Sequence, residues 1–185
     1  RIESYVKNGG NFVATYLSFM VDKNDMCFLG GFPAENLKNV FGIWNEETDS
    51  LPEGMKNSVE YNGEKYDVEH VCDLIHSTGA NILGTYEQDF YKGMAAVTEN
   101  NYGKGKAYYV AFRNDGNFAD IFCKKLVADA NITPDCGVTA DDGVLIRKRG
   151  EHIFVMNFSD DKVKINLNGE YKNTVSGEVL TGETE

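Results

Sequence analysis

The sequence lacks both a long apolar segment and an excess of positive charge. No stretch of its 185 residues approaches the roughly 20 apolar residues that a membrane-spanning helix needs, and no secretory signal is recognisable. Lys and Arg number 18 against 29 Asp and Glu, which gives a net charge of −11. Because nucleic acids and anionic membranes are bound by clustered Lys and Arg, neither is an expected partner.

Cysteine pairs and nucleotide-binding loops are also missing. The four cysteines, Cys27, Cys72, Cys123 and Cys136, have no C-x-x-C spacing and no G-x-C-x-G elbow around them. We therefore expect reduced, buried thiols of a cytoplasmic protein, without a catalytic cysteine. The segment 103–106, GKGK, lacks the spacing of a P-loop and is interpreted as a tight turn between strands. No cofactor is expected.

The sequence shows no group of residues with the spacing of a metal site or of an acid–base pair. His70 and His76 flank Cys72 and Asp73, but their spacing is wider than that of zinc ligand pairs. The segment 22–31 lacks the Gly and terminal Glu of an EF-hand loop. A glycosidase needs two carboxyl groups across the scissile bond, and we interpret the adjacent acidic pairs as solvated surface. These pairs are Asp22/Asp25, Glu46/Glu47, Glu87/Asp89, Asp141/Asp142 and Asp160/Asp161. We predict no catalytic, metal or cofactor-binding residue.

Aromatic residues offer the main candidate contact surface. Tyr86, Phe90 and Tyr91 surround Glu87 and Asp89 in the segment YEQDFY. Together with the single tryptophan at position 44, they suit either a sugar-stacking wall or the anchors of a subunit interface. The interface is favoured, since aromatic residues are enriched at such surfaces.

Hydrophobic periodicity predicts an α/β domain over the first two-thirds of the chain. Ile2, Tyr5 and Val6 share one helical face, and Gly9-Gly10 caps that helix before a buried strand over 11–16. The chain begins inside this helix, so we expect it to be cut from a longer protein. The remaining predicted elements are a connection over 17–33, a helix over 36–41, an acidic loop over 44–57, a hairpin over 58–68 turning at Asn62-Gly63, strands over 80–86, 95–98 and 106–112, and a helix over 117–130.

A linker over 131–137 separates a second pattern of short apolar runs. The runs cover 144–149, 152–158, 163–167 and 175–180 and predict a small antiparallel β unit. A unit of about 45–50 residues is only marginally stable alone.

Motifs in order along the chain resemble the trimerisation domain of family 42 β-galactosidases. The most specific are DFYKGMAAVT at 89–98 and NYGKGKAYYVA at 101–111, supported by FVATYLS at 12–18 and FLGG at 28–31. The tail from Val138 is similar to the small C-terminal β domain of the same enzymes. The resemblance covers nearly the whole chain.

The resemblance implies a partial flavodoxin-like/class I glutamine-amidotransferase-like three-layer domain followed by a small antiparallel β domain. It implies a trimerisation domain at 1–135, truncated at its N-terminus, and the β domain at 138–185. The family's two catalytic glutamates belong to a (β/α)8 barrel and have no counterpart here. We therefore expect an inactive homotrimerisation region of a retaining β-galactosidase. Two alternatives stay open: a carbohydrate-binding module with an aromatic surface, and an amidotransferase-like hydrolase.

Overall fold

The computed structural model describes residues 1–34, 36–114, 116–132, 136–140 and 143–184. The chain divides into two compact units, Arg1–Leu126 and Val127–Glu185. The first unit contains, in chain order, α1 (Ile2–Lys7), β1 (Asn11–Thr15), α2 (Leu37–Phe41), β2 (Ile43–Ser50), β3 (Asn57–Tyr61), β4 (Glu64–Ser77), β5 (Asn81–Tyr86), β6 (Ala95–Tyr102), β7 (Gly105–Val110), β8 (Phe112–Arg113) and α3 (Asn117–Asp129), whose end crosses the division.

One eight-stranded mixed sheet organises the first unit. Its strand order is β1-β7-β6-β5-β3-β4-β2, with β8 paired to β4. Strand β1 runs parallel to β7, and the pairings from β2 to β7 are antiparallel. The expected combination of helices and strands followed by a small β unit is confirmed.

The prediction of a loop over 44–57 was wrong for residues 44–50, whereas residues 51–56 do connect two strands. Strand β2 occupies Ile43–Ser50 and pairs antiparallel with β4, as the outermost strand of the sheet order. Ile43 and Asn45 are buried whereas Trp44 and Glu46 are exposed. Acidic side chains on the solvent face of an edge strand discourage further strand pairing, which explains why this strand resembles a loop in composition.

Other local predictions are confirmed by the backbone. The hairpin of β3 and β4 turns at Asn62 and Gly63, whose φ angles are 55° and 82°. The predicted helices correspond to α2 and α3, and the predicted strands over 80–86 and 106–112 correspond closely to β5 and β7. Strand β6 extends to Tyr102, four residues beyond the predicted end at 98.

The predicted turn at 103–106 joins β6 to β7 and packs against the end of α1. The Lys104 N–H donates to the carbonyl oxygen of Lys7 at 3.0 Å. A Cβ atom at Gly105 would overlap the carbonyl oxygens of Val6 and Gly10. The glycine therefore permits a close approach between helix and strand.

Aromatic side chains build much of the core between the sheet and α3. Phe118 and Phe122 lie one helical turn apart and are almost completely buried. Phe118 packs edge-on against Tyr61 at a centroid distance of 5.3 Å, and Phe122 packs in the same way against Tyr108 at 5.8 Å. Edge-to-face contacts of this kind stabilise a core beyond simple burial.

The second unit contains two small antiparallel sheets. Strands β10 (Val144–Arg149) and β11 (His152–Asn157) form a hairpin, and β12 (Ile165–Lys172) lies between β13 (Val179–Thr184) and β9 (Val138–Ala140). The last two predicted strands thus begin a few residues later than expected, and β9 was not predicted because three residues are too short for a periodic signal. Residues 133–135 of the predicted linker lie outside the described residues.

Candidate interaction surface

Two of the predicted surface aromatics belong to the core. Tyr86 and Tyr91 are fully buried and meet edge-on with a centroid distance of 5.0 Å. The Tyr86 hydroxyl donates to the carbonyl oxygens of Asp73 at 3.1 Å and Ala111 at 2.9 Å, and the Tyr91 hydroxyl donates to Asp49 at 2.8 Å. Their expected role as a sugar wall or interface anchor was therefore wrong. Both tyrosines are buried because apolar segments flank them along the chain and because their hydroxyl groups have hydrogen-bond acceptors.

The carboxyl group of Asp73 is the centre of a buried hydrogen-bond network. Asp73 is fully buried in β4. Its Oδ2 atom accepts hydrogen bonds from the Tyr109 hydroxyl at 2.7 Å and the Leu17 N–H at 2.9 Å, and its Oδ1 atom accepts one from the Thr48 hydroxyl at 2.6 Å. This residue thus ties β2, β7 and the start of the loop after β1 together. This role was not predicted, although an acidic residue inside the apolar run VCDLI was an available signal.

Burial keeps the ionisable groups around this network protonated. Loss of solvent raises the pKa of Cys72 to about 11. It also raises the pKa of Tyr86 and of Tyr109 well above the usual range of a phenol, and the Asp73 carboxyl adds to the effect at Tyr109. These groups serve the fold, since a buried neutral thiol is a poor nucleophile.

The cysteine prediction is half right. All four thiols are free, but Cys72 alone among them is buried. Cys27 and Cys123 are exposed, and Cys136 is partly exposed. Cys27 lies on the loop after β1 and Cys123 on the outer face of α3, where a thiol meets solvent.

Most of the acidic candidate pairs have local structural uses. Asp22 closes a turn by accepting the N–H groups of Asn24 and Met26, and Glu87 pairs with Lys65 at 2.8 Å. Asp160 and Asp161 are exposed, whereas Asp141 and Asp142 lie outside the described residues. Within the described part of the chain, no group of three or more His, Cys, Asp and Glu side chains is arranged to hold a metal ion.

Trp44 and His76 form an exposed patch at the β2 edge of the sheet. They face each other across β2 and β4, and their rings stack with centroids 4.5 Å apart and planes 11° apart. The Nε2 atom of His76 lies 2.6 Å from a carboxyl oxygen of Glu46. Phe90, the remaining predicted aromatic, is 74% exposed in the turn between β5 and β6.

The loop from Leu17 to Pro33 carries a denser group of exposed apolar side chains. Met26 is 66% exposed and Leu29 is fully exposed, whereas Leu17 and Val21 are nearly half-exposed. This segment was predicted only as a connection, and its exposed apolar surface was not predicted. Its signal was the presence of several large apolar residues among polar ones, without the period of a strand or a helix.

Backbone hydrogen bonds and a lysine side chain fix the shape of this loop. The Asp22 N–H donates to the Met26 carbonyl oxygen at 2.8 Å, and the Phe28 N–H donates to that of Met20 at 3.0 Å. The ammonium group of Lys38 donates to the carbonyl oxygen of Gly30. The apolar side chains are therefore presented by an ordered segment.

A groove of about 480 Å³ lies between this loop, α1 and the start of α2. Its apolar lining comes from Ile2, Phe19, Val21, Phe28 and Leu37, among others. Charged residues of both signs border it, namely Arg1, Glu3, Asp22 and Lys23. An apolar centre with a polar rim is the usual composition of a protein–protein contact.

Among the described residues, the structure contains no helix that combines the length and the apolar character needed to cross a membrane.

Two family models match the chain in succession. One is described as the β-galactosidase trimerisation domain and matches residues 1–133, and the other is described as the β-galactosidase C-terminal domain and matches residues 143–185. The chain therefore belongs to the glycoside hydrolase family 42 β-galactosidases, of which it carries the trimerisation and C-terminal domains. The resemblance drawn from DFYKGMAAVT and NYGKGKAYYVA is confirmed.

Individual relatives agree with this assignment. The chain is 44% identical over 200 residues to the β-galactosidase Pbg of Clostridium perfringens, a match that covers 100% of this chain and 28% of Pbg. It superposes on Gan42B, a GH42 β-galactosidase from G. stearothermophilus, with a TM-score of 0.92 and 36% identity. This match covers 99% of this chain and 27% of Gan42B. The β-galactosidase of Bacillus circulans sp. alkalophilus gives a TM-score of 0.90 and 32% identity. This match covers 100% of this chain and 28% of that enzyme. The chain thus spans less than a third of the length of these relatives.

Proposed function

We propose that these 185 residues are the non-catalytic assembly region of a β-galactosidase. The hydrolysis of terminal β-D-galactosides, by a retaining mechanism, takes place in a catalytic barrel outside them. The observation that carries the proposal is the match of residues 1–133 to the trimerisation domain model. The local structural uses of Asp22, Glu46 and Glu87 agree with it, because a retaining glycosidase needs two carboxyl groups free to face the sugar.

The proposed assembly is a homotrimer in the cytoplasm. The family model that matches residues 1–133 is described as a trimerisation domain, which supports the trimer. The exposed thiols of Cys27 and Cys123 suit a reducing compartment. Neither nucleic acid nor membrane is a proposed partner, given the net charge of −11. The domain boundaries at 1–135 and 138–185 belong to the same proposal.

The proposed parent fold of the first unit is a flavodoxin-like or class I glutamine-amidotransferase-like three-layer domain. The support is the order α1, β1 and β7, in which a helix precedes a strand that pairs parallel with a later one. Parallel strand pairs are characteristic of doubly wound sheets.

Chemical cross-linking across a dilution series tests the assembly proposal. A bifunctional amine reagent is expected to give a ladder that ends at three chains, at concentrations where an unrelated monomer of equal size gives no ladder. A ladder that is absent, or that extends without limit, would overturn the homotrimer.

A second candidate function is carbohydrate binding at the Trp44 patch. The specific observation is a tryptophan that is 40% exposed and held flat against His76, next to a carboxyl acceptor on Glu46. Because Trp44 is the only tryptophan, its fluorescence reports directly on ligand binding. Saturable quenching of the Trp44 fluorescence by galactose would favour this function, and a flat titration would exclude it.

A further inference from the structure

The turn between β3 and β4 brings together an asparagine side chain, the backbone nitrogen of a glycine and a carboxylate. We infer that Asn62-Gly63 is a site of self-modification, in which the side-chain amide of Asn62 is lost as ammonia. The products carry aspartate or isoaspartate at position 62, and the carboxylate of Glu60 serves as the general base. This chemistry belongs to the chain itself and is independent of the proposed assembly.

The reaction needs water as its co-reactant and no cofactor. Glu60 accepts the proton of the Gly63 backbone nitrogen, which forms a bond to the side-chain carbonyl carbon of Asn62. The bond from that carbon to the amide nitrogen breaks, and the amide leaves as ammonia with the proton that Glu60 returns. Water then opens the resulting succinimide ring. Attack at the former side-chain carbonyl gives aspartate, and attack at the main-chain carbonyl gives isoaspartate.

The geometry of the turn favours the first step. The Gly63 N–H donates to a carboxyl oxygen of Glu60 at 2.7 Å, which is within the reach of a general base for the proton that it abstracts. Asn62 and Gly63 are both exposed, so water has access to the ring. No neighbouring atom lies within 4 Å of the position that a Gly63 Cβ would occupy. The attacking nitrogen is therefore uncrowded and has a base beside it.

The two other Asn-Gly pairs of the chain, Asn8-Gly9 and Asn168-Gly169, lack this combination. In the first pair, the glycine N–H donates to the backbone carbonyl oxygen of Val6 at 3.0 Å. An amide carbonyl is a far weaker base than a carboxylate. In the second pair, the asparagine side-chain oxygen accepts the Tyr171 hydroxyl at 3.1 Å, so this contact must break before the side chain can turn. Both pairs should react more slowly than Asn62-Gly63.

The modification changes the hairpin that carries it. Aspartate is compatible with the φ of 55° at Asn62. Isoaspartate inserts an extra carbon into the backbone, which the tight two-residue turn between paired Tyr61 and Glu64 does not accommodate. Either product adds a negative charge to a turn that already contains Glu60 and Glu64, in a chain of net charge −11. Like charges repel, so the pairing of β3 with β4 is weakened.

Peptide mapping of the whole chain tests the site. The protein is kept in a mildly alkaline buffer, and samples are digested with trypsin at intervals. Cleavage after lysine places the three Asn-Gly pairs in separate peptides, 8–23, 57–65 and 165–172. Mass spectrometry measures the replacement of an amide by a hydroxyl group in each peptide, and fragmentation locates it. The other two peptides are therefore internal controls for the peptide 57–65.

Two variants separate the base from the charge of the turn. Glu60→Gln keeps a hydrogen-bond acceptor but removes the base, and Glu64→Gln is the control with the same change in charge. In the unmodified protein and the control, conversion at Asn62 should be at least about 10-fold faster than in the other two peptides, and Glu60→Gln should slow it at least about 10-fold. Equal conversion of all three pairs would overturn the site. A rate at Asn62 that is unchanged in Glu60→Gln would overturn the role of Glu60.

Discussion

At the residue scale, Asp73 shows how one buried polar side chain can organise several elements. Its two carboxyl oxygens accept three hydrogen bonds from Leu17, Thr48 and Tyr109. A buried carboxyl group is tolerated only when its oxygens are satisfied. The same residue anchors the first residue of the loop that carries Met26 and Leu29, so it couples this loop to the core.

Replacing Asp73 by Ala is expected to destabilise the protein by about 3 kcal/mol. The substitution leaves the Leu17 N–H and the Thr48 and Tyr109 hydroxyl groups without this acceptor. Of the three residues only Tyr109 is fully buried, and a buried unsatisfied group costs about 1–3 kcal/mol. Asp73→Asn should cost less, because its amide oxygen can still accept from Leu17 and Tyr109 while the Thr48 hydroxyl rotates to accept. Urea denaturation measures the effect, with the exposed Glu53→Ala as a control near zero. Equal stabilities for Asp73→Ala and the control would contradict the account.

Stability is expected to fall as the pH rises from about 9 to 11. The native state holds the Cys72 proton up to a pKa of about 11, whereas an unfolded thiol loses it near its ordinary value of about 8.5. The unfolded chain therefore binds fewer protons across this range, and linkage makes unfolding more favourable. The raised pKa of the buried Tyr86 and Tyr109 phenols acts in the same direction.

Urea midpoints at several pH values check this dependence. Cys72→Ala should show a smaller decline than the unmodified protein, because the phenols remain. In thiol labelling at neutral pH, Cys27 and Cys123 should react at once and Cys72 only after unfolding. Rapid labelling of all four thiols would contradict the assigned burial.

At the element scale, α3 and β2 show which local patterns the sequence could reveal. The period of Phe118, Phe122 and Leu126 predicted α3 correctly, because an amphipathic helix repeats its apolar residues every three or four positions. Ile121 lies next to Phe122 in the same apolar pattern and is 38% exposed. Strand β2 was missed because an edge strand needs few apolar residues, so its acidic composition obscured the alternation.

The two phenylalanines of α3 are expected to carry most of its contribution to stability. Phe118→Ala and Phe122→Ala should each cost about 3 kcal/mol, since each removes a buried ring and leaves a cavity. Ile121→Ala is the matched control on the same helix and should cost less than about 1 kcal/mol. Thermal unfolding followed by circular dichroism compares the three variants, and equal losses at Phe118 and Ile121 would contradict the packing described for α3.

Long-range pairing could not be predicted at this scale. The register of β1 on β7 joins segments about 95 residues apart, such as Asn11 and Lys106, and no local pattern encodes such a partner. Similarly, the Asp73 network depends on which strands are neighbours. The candidate contact surface could not be predicted either, because the exposure of Met26 and Leu29 is a property of the folded loop.

At the scale of the whole molecule, the two units differ in how much core they contain. In the first unit, buried aromatic and aliphatic side chains form one continuous cluster. In the described part of the second unit, Val138 is the one apolar side chain that is fully excluded from solvent. A β unit of this size with so little buried surface has a small margin of stability.

Separate production of the two units tests this difference. Residues 1–132 are expected to unfold cooperatively on heating, whereas residues 138–185 should show a gradual change without a clear midpoint. Circular dichroism against temperature measures both. A sharp, cooperative transition in the isolated second unit would show that its core is larger than the described residues indicate.

The central claim is that this chain associates with copies of itself. Light scattering after size exclusion gives the solution mass directly, and the mass of one chain is 20.6 kDa. The account predicts a mass three times that of one chain, constant over a tenfold dilution. A mass that stays at one chain across the same concentrations would contradict it.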